Sequence, residues 1–409
     1  MNVKEKISLE TFGDKQFKNR LVEPDNNQKA TLTHYLHNAK NKESKFFKNG
    51  AIEFTKEVLK YKYPENEITT EAAEEALQYG LFDTFQVPFL PVENPKFKFI
   101  DLFAGIGGFR LALQNVKGKC VYTSEWDKAA KVTYRNNFGD IPFGDITTNA
   151  TKSYIPNDFE VLCAGFPCQA FSIAGNRTGF ADTRGTLFFD IEKIITKHRP
   201  KVVFLENVKN LVTHDKGKTF ETIIDILEKK LKYNVFYKVL NSMNYANVPQ
   251  NRERIFIVAF NPDKVKNAES FTFPNEIELT KTIHDVLENG KQDDKYYYCK
   301  THKYYPELEK TMTSRDTVYQ WRRVYVRENK SKVCPTLTAN MGTGGHNVPL
   351  IKDKYGIRKL TPRECFSFQG YPKDYVLPKL ADSKLYMQAG NSVTTTLVER
   401  IAKKITKFL

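Results

Sequence analysis

The 409-residue chain has no apolar run approaching the roughly 18–20 residues that a membrane span requires. Its opening, MNVKEKISLETFG, is charged and lacks an apolar segment, so a secretory signal is not expected. Cysteine is scarce and scattered. Cys120, Cys163, Cys168, Cys299, Cys334 and Cys365 include no CxxC pair, which speaks against a disulfide framework and a zinc site. A reducing cytoplasm and no metal are the expectation. Acidic charge is also short. The chain carries 63 Lys and Arg against 48 Asp and Glu, a net charge of +15. Residues 1–95 hold 13 basic and 15 acidic residues, which leaves 50 and 33 for the remainder. The excess therefore belongs to the main body and points to a polyanionic partner such as nucleic acid.

What is present divides the chain into textures. ATLTHYLHNAK, GAIEFTKEVLKY and TTEAAEEALQYG read as short helices, and VPFLPVENP, with three prolines, as an extended linker. From residue 97 strands and helices alternate. FKFIDLF, KCVYTSEW, FEVLCAG, KVVFLENV, NVFYKVLN and RIFIVAF are β-rich. GFRLALQNV, KAAKVTYRNNF, RGTLFFDIEKIITKH and KTFETIIDILEKKL have helical period. The alternation argues for an α/β fold with a doubly wound, mostly parallel sheet, in which ligands bind at the carboxyl ends of the strands. Residues 261 to about 357 break the pattern and read as a small, mainly β unit rich in Lys and Tyr, which together with its hinge extends to 386. NSVTTTLVERIAKKITKF closes the chain as one helix, apolar on one face. The expected domains are thus a helical extension and linker (1–95), a cofactor-binding domain (96–260, completed by a C-terminal helix at 387–409), and the small unit with its hinge.

Several post-strand stretches carry chemistry. FIDLFAGIGGFRLAL is a strand, a glycine turn and a helix, where Gly105, Gly107 and Gly108 let backbone approach a ligand. The turn is not GxGxxG, so a pyrophosphate is not the natural guest; a plain tight turn is the competing reading. Glu125 ends the next strand, placed to bond ribose hydroxyls, with Trp126 able to stack on adenine and Asp145 to accept from an exocyclic amine. Together these describe an adenosine-bearing cofactor with little or no phosphate. Cys168 follows a strand behind Pro167, and a thiol at the mouth of such a sheet is either a nucleophile or an inert small hydrophobe. Glu206 ends the next strand, and Asn207 is placed to fix the turn there. Arg252 and Arg254 alternate on another strand, hence on one face; a solvated strand face is the plainer alternative. Pyrimidine C5 becomes nucleophilic when a thiolate adds to C6, and a carboxyl sharing a proton with N3 eases that addition. The cofactor that suits such a set is a sulfonium methyl donor.

With DLFAGIGGFR, GFPCQAFSIAG, DTRGTLFFDI, FLENVKNL, PQNRERIFIV, RKLTPRECFSFQGYP and AGNSV in this order, the sequence resembles the DNA (cytosine-5) methyltransferases, bacterial modification enzymes in particular. The resemblance covers residues 97–260 and 358–401 and implies S-adenosyl-L-methionine as cofactor. It implies Cys168 as nucleophile, Glu206 on N3 and the amino group of the target cytosine, Arg254 on its O2, and Arg252 in support of the active-site loops. It implies a cofactor pocket of Phe103, Ala104, Gly105, Gly107, Gly108, Glu125, Trp126, Asp145, Ile146, Pro167 and Leu187, joined by Asn391, Ser392 and Val393. The small unit then becomes a target recognition domain, with Thr336 and Leu337 as its shared step and among its DNA-binding residues, and with Arg322, Arg323 and Arg327 facing guanine edges and phosphates. Gln169 and Ser172 would meet DNA, and a loop over roughly 171–186 would close on a flipped-out base. Double-stranded DNA is the implied partner, with a monomer in the bacterial cytoplasm and a restriction endonuclease encoded beside it.

A tRNA cytosine-5 methyltransferase with the same core and a non-catalytic DNA-binding regulator are the rival readings. Amino-methyltransferases use an (Asp/Asn/Ser)-Pro-Pro-aromatic loop, and the chain has none. The near-neutral residues 1–95 suit a structural cap better than a DNA-binding arm.

Overall fold

A computed structural model describes residues 26–38, 44–78, 86–167, 187–322, 324–343 and 347–409. The N-terminal helices fall where their periods place them: α1 (Asn26–Asn38), α2 (Ser44–Lys62) and α3 (Thr70–Gln78). Leu32, Phe54, Val58, Leu59 and Leu77 close a small core among them, whereas Ala30 and Phe47 enter the core of the main sheet. The proline-rich stretch that follows has no regular structure yet is docked. Phe89 donates its N–H to the Asn137 carbonyl (3.1 Å) and packs on Phe138 and Tyr375.

The alternation continues as β1 (Phe97–Leu102), α4 (Gly108–Asn115), β2 (Gly118–Ser124), α5 (Lys128–Phe138), the short α6 (Asn149–Ser153), β3 (Val161–Gly165), α7 (Leu187–His198), β4 (Val202–Val208), α8 (Lys218–Asp225), β5 (Asn234–Asn241), one turn of α9 (Ser242–Tyr245), the two-residue β6 (Gln250–Asn251) and β7 (Glu253–Phe260). Six strands form one sheet in the order β2-β1-β3-β4-β7-β5. All neighbours are parallel except β7, which runs antiparallel between β4 and β5. The strands β1 to β4 are buried on both faces, so each reads as a nearly continuous apolar run. Local signals set the helix ends. Asp127 caps α5 by accepting from the Ala130 N–H (2.7 Å), and Gly139, at φ 80°, ends it in the left-handed conformation. From β1 the chain winds outward to β2, then returns to place β3 on the other side of β1. The crevice beyond the carboxyl ends of β1 and β3 is therefore the switch point of the sheet.

The small unit holds α10 (Tyr305–Thr311), β8 (Tyr319–Arg322), β9 (Tyr325–Glu328), β10 (Cys334–Pro335), β11 (Leu350–Lys352) and β12 (Ile357–Lys359). Four of its strands make an antiparallel sheet, β12-β11-β8-β9, over Leu308, Met312, Tyr319, Val326, Leu350 and Ile357. It is joined to the large sheet in two ways. β10 pairs in parallel with β6, and Val318, Leu337, Met341 and Ile351 share a core with Ile106, Leu111, Tyr134 and Phe138. Immediately after β7, Val265, Ala268 and Phe271 still pack on the large sheet.

The C-terminal segment departs from the single helix read from sequence. After α11 (Pro362–Ser367) come α12 (Asp382–Asn391) and α13 (Thr395–Ile405), divided at Ser392–Thr394. The break has partners that a continuous helix would lose: Ser392 Oγ shares a 2.6 Å hydrogen bond with the Tyr371 hydroxyl, and the Ser392 carbonyl accepts from Arg252. Past the break, Leu397, Val398, Ile401 and Ile405 pack with Phe97, Phe99 and Phe109, so the C-terminus completes the core of the large sheet. Among the described residues no helix is long and apolar enough to cross a membrane.

Candidate active site

The carboxyl ends of β1 to β4 gather most of the residues singled out above. The turn after β1 is left-handed at Phe103 (φ 54°), Gly105 (φ 54°) and Gly107 (φ 82°). A non-glycine residue at positive φ is uncommon, and Phe103 is held there by the surrounding structure. A Cβ placed on Gly105 would meet no atom within 4 Å, so the turn leaves open space where a ligand can approach the backbone. A Cβ on Gly108 would instead lie 2.6 Å from Val393 Cγ2 and 3.3 Å from Ser392 Oγ, which shows how closely the C-terminal segment approaches. Ala104 is buried beside the turn.

Glu125 follows β2 directly and is buried. Its carboxylate accepts from the Gly105 N–H (2.7 Å) and from the N–H groups of Trp126 and Asp127 (2.8 Å each). It thereby ties the second strand to the glycine turn. Burial pushes this carboxyl up, against the pull of those backbone donors. Trp126 is 77% exposed at the rim, available to stack against a flat ring. Beyond α5, Phe143 lies along the edge of β2, donating to the Thr123 carbonyl (2.8 Å) and accepting from the Glu125 N–H (3.0 Å). The register delivers Asp145, exposed, and Ile146, buried, to the same side of the sheet. An open glycine cradle, a carboxylate just past β2 and an exposed indole are groups of the kind that an adenosine-bearing ligand can use.

On the other side, β3 and β4 pair with Gly165 opposite Glu206. Glu206 is buried, and Arg254 of β7 donates to it from Nε at 3.1 Å. Burial raises the Glu206 carboxyl, while Arg254 and then Arg252 oppose the shift. Asn207 donates to the Phe166 carbonyl (2.8 Å), fixing the loop that leads through Phe166 and the exposed Pro167 toward the cysteine. Cys168, Gln169, Ser172 and the loop of roughly 171–186 lie outside the described residues, as does Arg323. Leu187 is the half-buried first residue of α7.

The two arginines expected on one strand face take different routes. Arg252 sits in the one-residue gap between β6 and β7 and is 1% exposed. Its guanidinium donates to three carbonyls: Leu337 (2.8 Å), Gly390 (3.1 Å) and Ser392 (2.5 Å). Those carbonyls belong to the small unit, the end of α12 and the break before α13. Gln250 reinforces the same junction, donating to the Phe368 carbonyl (2.6 Å) and accepting from the Leu337 N–H (3.1 Å). Sequence reasoning quoted Gln250 within PQNRERIFIV but assigned it nothing; its burial between two strands and a distant segment has no local signature. Asn391 is exposed, while Ser392 and Val393 are buried against the glycine turn.

In the small unit, Thr336 Oγ1 donates to the Asn251 carbonyl (2.6 Å). Leu337, expected among the DNA-binding residues, is fully buried: its side chain packs in the shared core, away from any DNA surface, and its carbonyl accepts from Arg252. Arg322 and Arg327 do share an exposed surface. The β8–β9 register pairs Gln320 with Arg327 and Arg322 with Tyr325, which puts all four on the face opposite Tyr319 and Val326.

Two groups under the pocket were not singled out from sequence. Arg110 and Asp140 form a fully buried ion pair beside Tyr134. Asp101 of β1 lies next to Thr123 and Cys163, where burial pushes its carboxyl up to about 8.

A family model described as C-5 cytosine-specific DNA methylase matches residues 97–407. The chain is 52% identical to the type II methyltransferase M.Bsp6I of Bacillus sp. (strain RFL6) over 312 residues, which cover 75% of this chain and 98% of that one. It is 44% identical over 355 residues to the type II methyltransferase M.HpaII of Haemophilus parainfluenzae, covering 82% and 96%. Among solved structures, the Entamoeba histolytica methyltransferase EhMeth superposes with a TM-score of 0.57 over 76% of this chain and 98% of that one, at 19% identity, and shares the fold.

Proposed function

The chain belongs to the C-5 cytosine-specific DNA methylase family; it is a DNA (cytosine-5) methyltransferase that uses S-adenosylmethionine, and from that premise we propose how its residues divide the work. Cys168 is the nucleophile. Its thiolate adds to C6 of a cytosine turned out of the duplex, and the electron pair of the C5–C6 bond moves to make C5 nucleophilic. Glu206 lies at N3 and the amino group, sharing a proton as negative charge builds on the ring. Arg254, paired with Glu206, reaches O2. When bound, S-adenosylmethionine supplies an electrophilic methyl group to the pocket. Phe103, Gly105, Glu125, Trp126, Asp145 and Ile146 hold its adenosine end, and Asn391 to Val393 its methionine end. After methylation the C5 proton leaves to a base and the C6–S bond breaks, which restores the aromatic ring and the thiolate.

The observation that carries this reading is the buried Glu206–Arg254 pair, set opposite Gly165 and three residues before Cys168 in the paired strand. A buried carboxylate with an arginine partner is costly to build and clusters at sites that use it. Residues 261–386 select the DNA sequence, through the exposed face of β8 and β9. The chain is the modification member of a type II restriction-modification system, a reading supported by its likeness to type II methyltransferases. The basic main body, with 50 Lys and Arg against 33 acidic residues, favours the duplex polyanion over a regulator without catalysis.

The test is covalent trapping. DNA with 5-fluorocytosine at the target stalls the cycle, because fluorine cannot leave C5 as a proton does. The wild-type chain is expected to give a complex that survives denaturing electrophoresis, and Cys168→Ala neither the complex nor methyl transfer. Methyl transfer by Cys168→Ala at the parent's rate would refute the assignment.

A further inference from the structure

The matched family model begins at residue 97, leaving α1 outside it. Yet α1 is buried through its polar side chains. Asn27, Thr31, Thr33, His34 and Asn38 are between 1 and 6% exposed. Buried polar groups need partners. Thr31 and Asn38 bond back to carbonyls of their own helix. Asn27 and Thr33 reach out of it: Thr33 Oγ1 accepts from the Ile141 N–H (3.0 Å), and Asn27 Oδ1 from the Gly144 N–H (2.8 Å). Between those two amides, Phe143 is bonded on its other side to β2, and its ring lies against Tyr122, Phe47 and His34 at centroid distances of 5.0, 5.9 and 4.8 Å. Phe143 is thus an isolated bridge at the edge of the sheet, flanked by two amides that a helix from the extension closes. Asp145 and Ile146 follow Gly144 directly.

We propose that α1 is a positioning element of the cofactor pocket: Asn27 and Thr33 hold the backbone of residues 141–144 so that Asp145 and Ile146 meet S-adenosylmethionine. The inference rests on the assignment of Asp145 and Ile146 to that pocket made above. A loop that occupies its binding position only part of the time weakens apparent affinity in proportion to that fraction. Loss of one such hydrogen bond is expected to raise the dissociation constant about three- to tenfold.

The test is binding of S-adenosylmethionine alone to the full chain by calorimetry, beside steady-state kinetics. Thr33→Val, of near-equal size but without the acceptor, and Asn27→Ala are each expected to raise the dissociation constant about three- to tenfold, and Thr33→Ser to return it to within about twofold of the parent. KM for the cofactor should rise with it, while kcat at saturating cofactor and KM for DNA stay put. Asp145→Ala separates the two levels. If it weakens cofactor binding while Thr33→Val and Asn27→Ala do not, the role of α1 is overturned and the pocket stands. If Asp145→Ala and Ile146→Ala both bind the cofactor as the parent does, the pocket assignment falls and takes the inference with it. A Thr33→Val protein that loses kcat and DNA affinity along with cofactor affinity also overturns it, since that is general loss of structure. Should Asn27→Ala fail to fold, the Thr33→Val and Thr33→Ser pair decides.

Discussion

Arg252 and Arg254, beside the end of β4, and Arg322 and Arg327, on the β8–β9 hairpin, place one side chain in opposite surroundings. The first two are enclosed and have fixed partners, three carbonyls for Arg252 and a carboxylate for Arg254. The second two stand in solvent, where Arg322 donates to its neighbour Gln320 (3.0 Å). A buried guanidinium tied to several fixed acceptors sets a geometry and keeps it, because every displacement strands polar atoms away from water. An exposed one keeps its donors free for whatever surface arrives. Under the proposed function, arginine is a rivet where chemistry needs fixed distances and a probe on the face proposed to read DNA sequence.

The strongest way to break this contrast is Arg252→Ala. Three carbonyls would lose their donor at a junction of three segments, and a destabilisation of about 3 kcal/mol or more is expected in urea unfolding, with activity lost. Arg252→Lys should not restore it, because one ammonium cannot span carbonyls held by a planar fork. Arg322→Ala should change stability by no more than about 0.5 kcal/mol. Equal effects at the two positions would erase the distinction.

Glu206→Gln sharpens it at the chemical end. The shape is retained but proton sharing with N3 is lost, so turnover should fall about a hundredfold or more while cofactor affinity, measured by titration, stays within about twofold. A collapse of cofactor binding instead would assign Glu206 to the other pocket.

The hairpin should show its own signature in dissociation constants measured on cognate and random duplexes across salt concentrations. Loss of an arginine that reads a guanine should cost roughly 1–3 kcal/mol of discrimination and leave random-duplex binding nearly intact. Loss of one that meets phosphate should weaken both alike and flatten the log–log salt slope by about 0.9. If Arg322→Ala and Arg327→Ala both keep the parent's slope and preference, this face is merely solvated.

The smallest effect is on pH-dependent stability. Burial raises the folded-state affinity of Glu206 for its proton above that of the unfolded chain, so from the ordinary carboxyl range upward its ionisation works against folding. The stability of the parent relative to Glu206→Gln should therefore decline as pH rises through that window. Arg322→Ala, at an exposed site, should track the parent across the same range. A parent advantage that grows with pH would mean that Arg254 outweighs the cost of burial.

Much of this was readable in the residues themselves. Runs such as FKFIDLF and KVVFLENV are strands because sheets covered on both faces demand continuous apolar side chains, and Asp127 and Gly139 mark the ends of α5 by their own backbone chemistry. The glycine turn and Glu125 follow strands and Glu206 lies near the carboxyl end of β4, ends that a parallel sheet brings together, while Arg254 joins them from the amino end of the antiparallel β7. The reversal of β7 is not encoded in its apolar pattern, which is the same in either direction. The break at Ser392 was hidden too, because a helix-like period continues through it and its partners, among them Arg252, 140 residues away, Ser242 and Tyr371, lie far off in the chain.

Sequence alone thus determined the local elements, the residue types available for chemistry and the basic character of the main body, all of which follow from short-range periodicity, turn preference and charge. Tertiary structure alone decided that Leu337 turns inward while its carbonyl meets Arg252, that Arg252 and Arg254 part company, and that Asn27 and Thr33 reach the edge beside Asp145. The physical reason is common to all three. A buried hydrogen bond takes its partner from whichever strand or helix packs against it, and that choice is made by the whole core, not by neighbours in the chain.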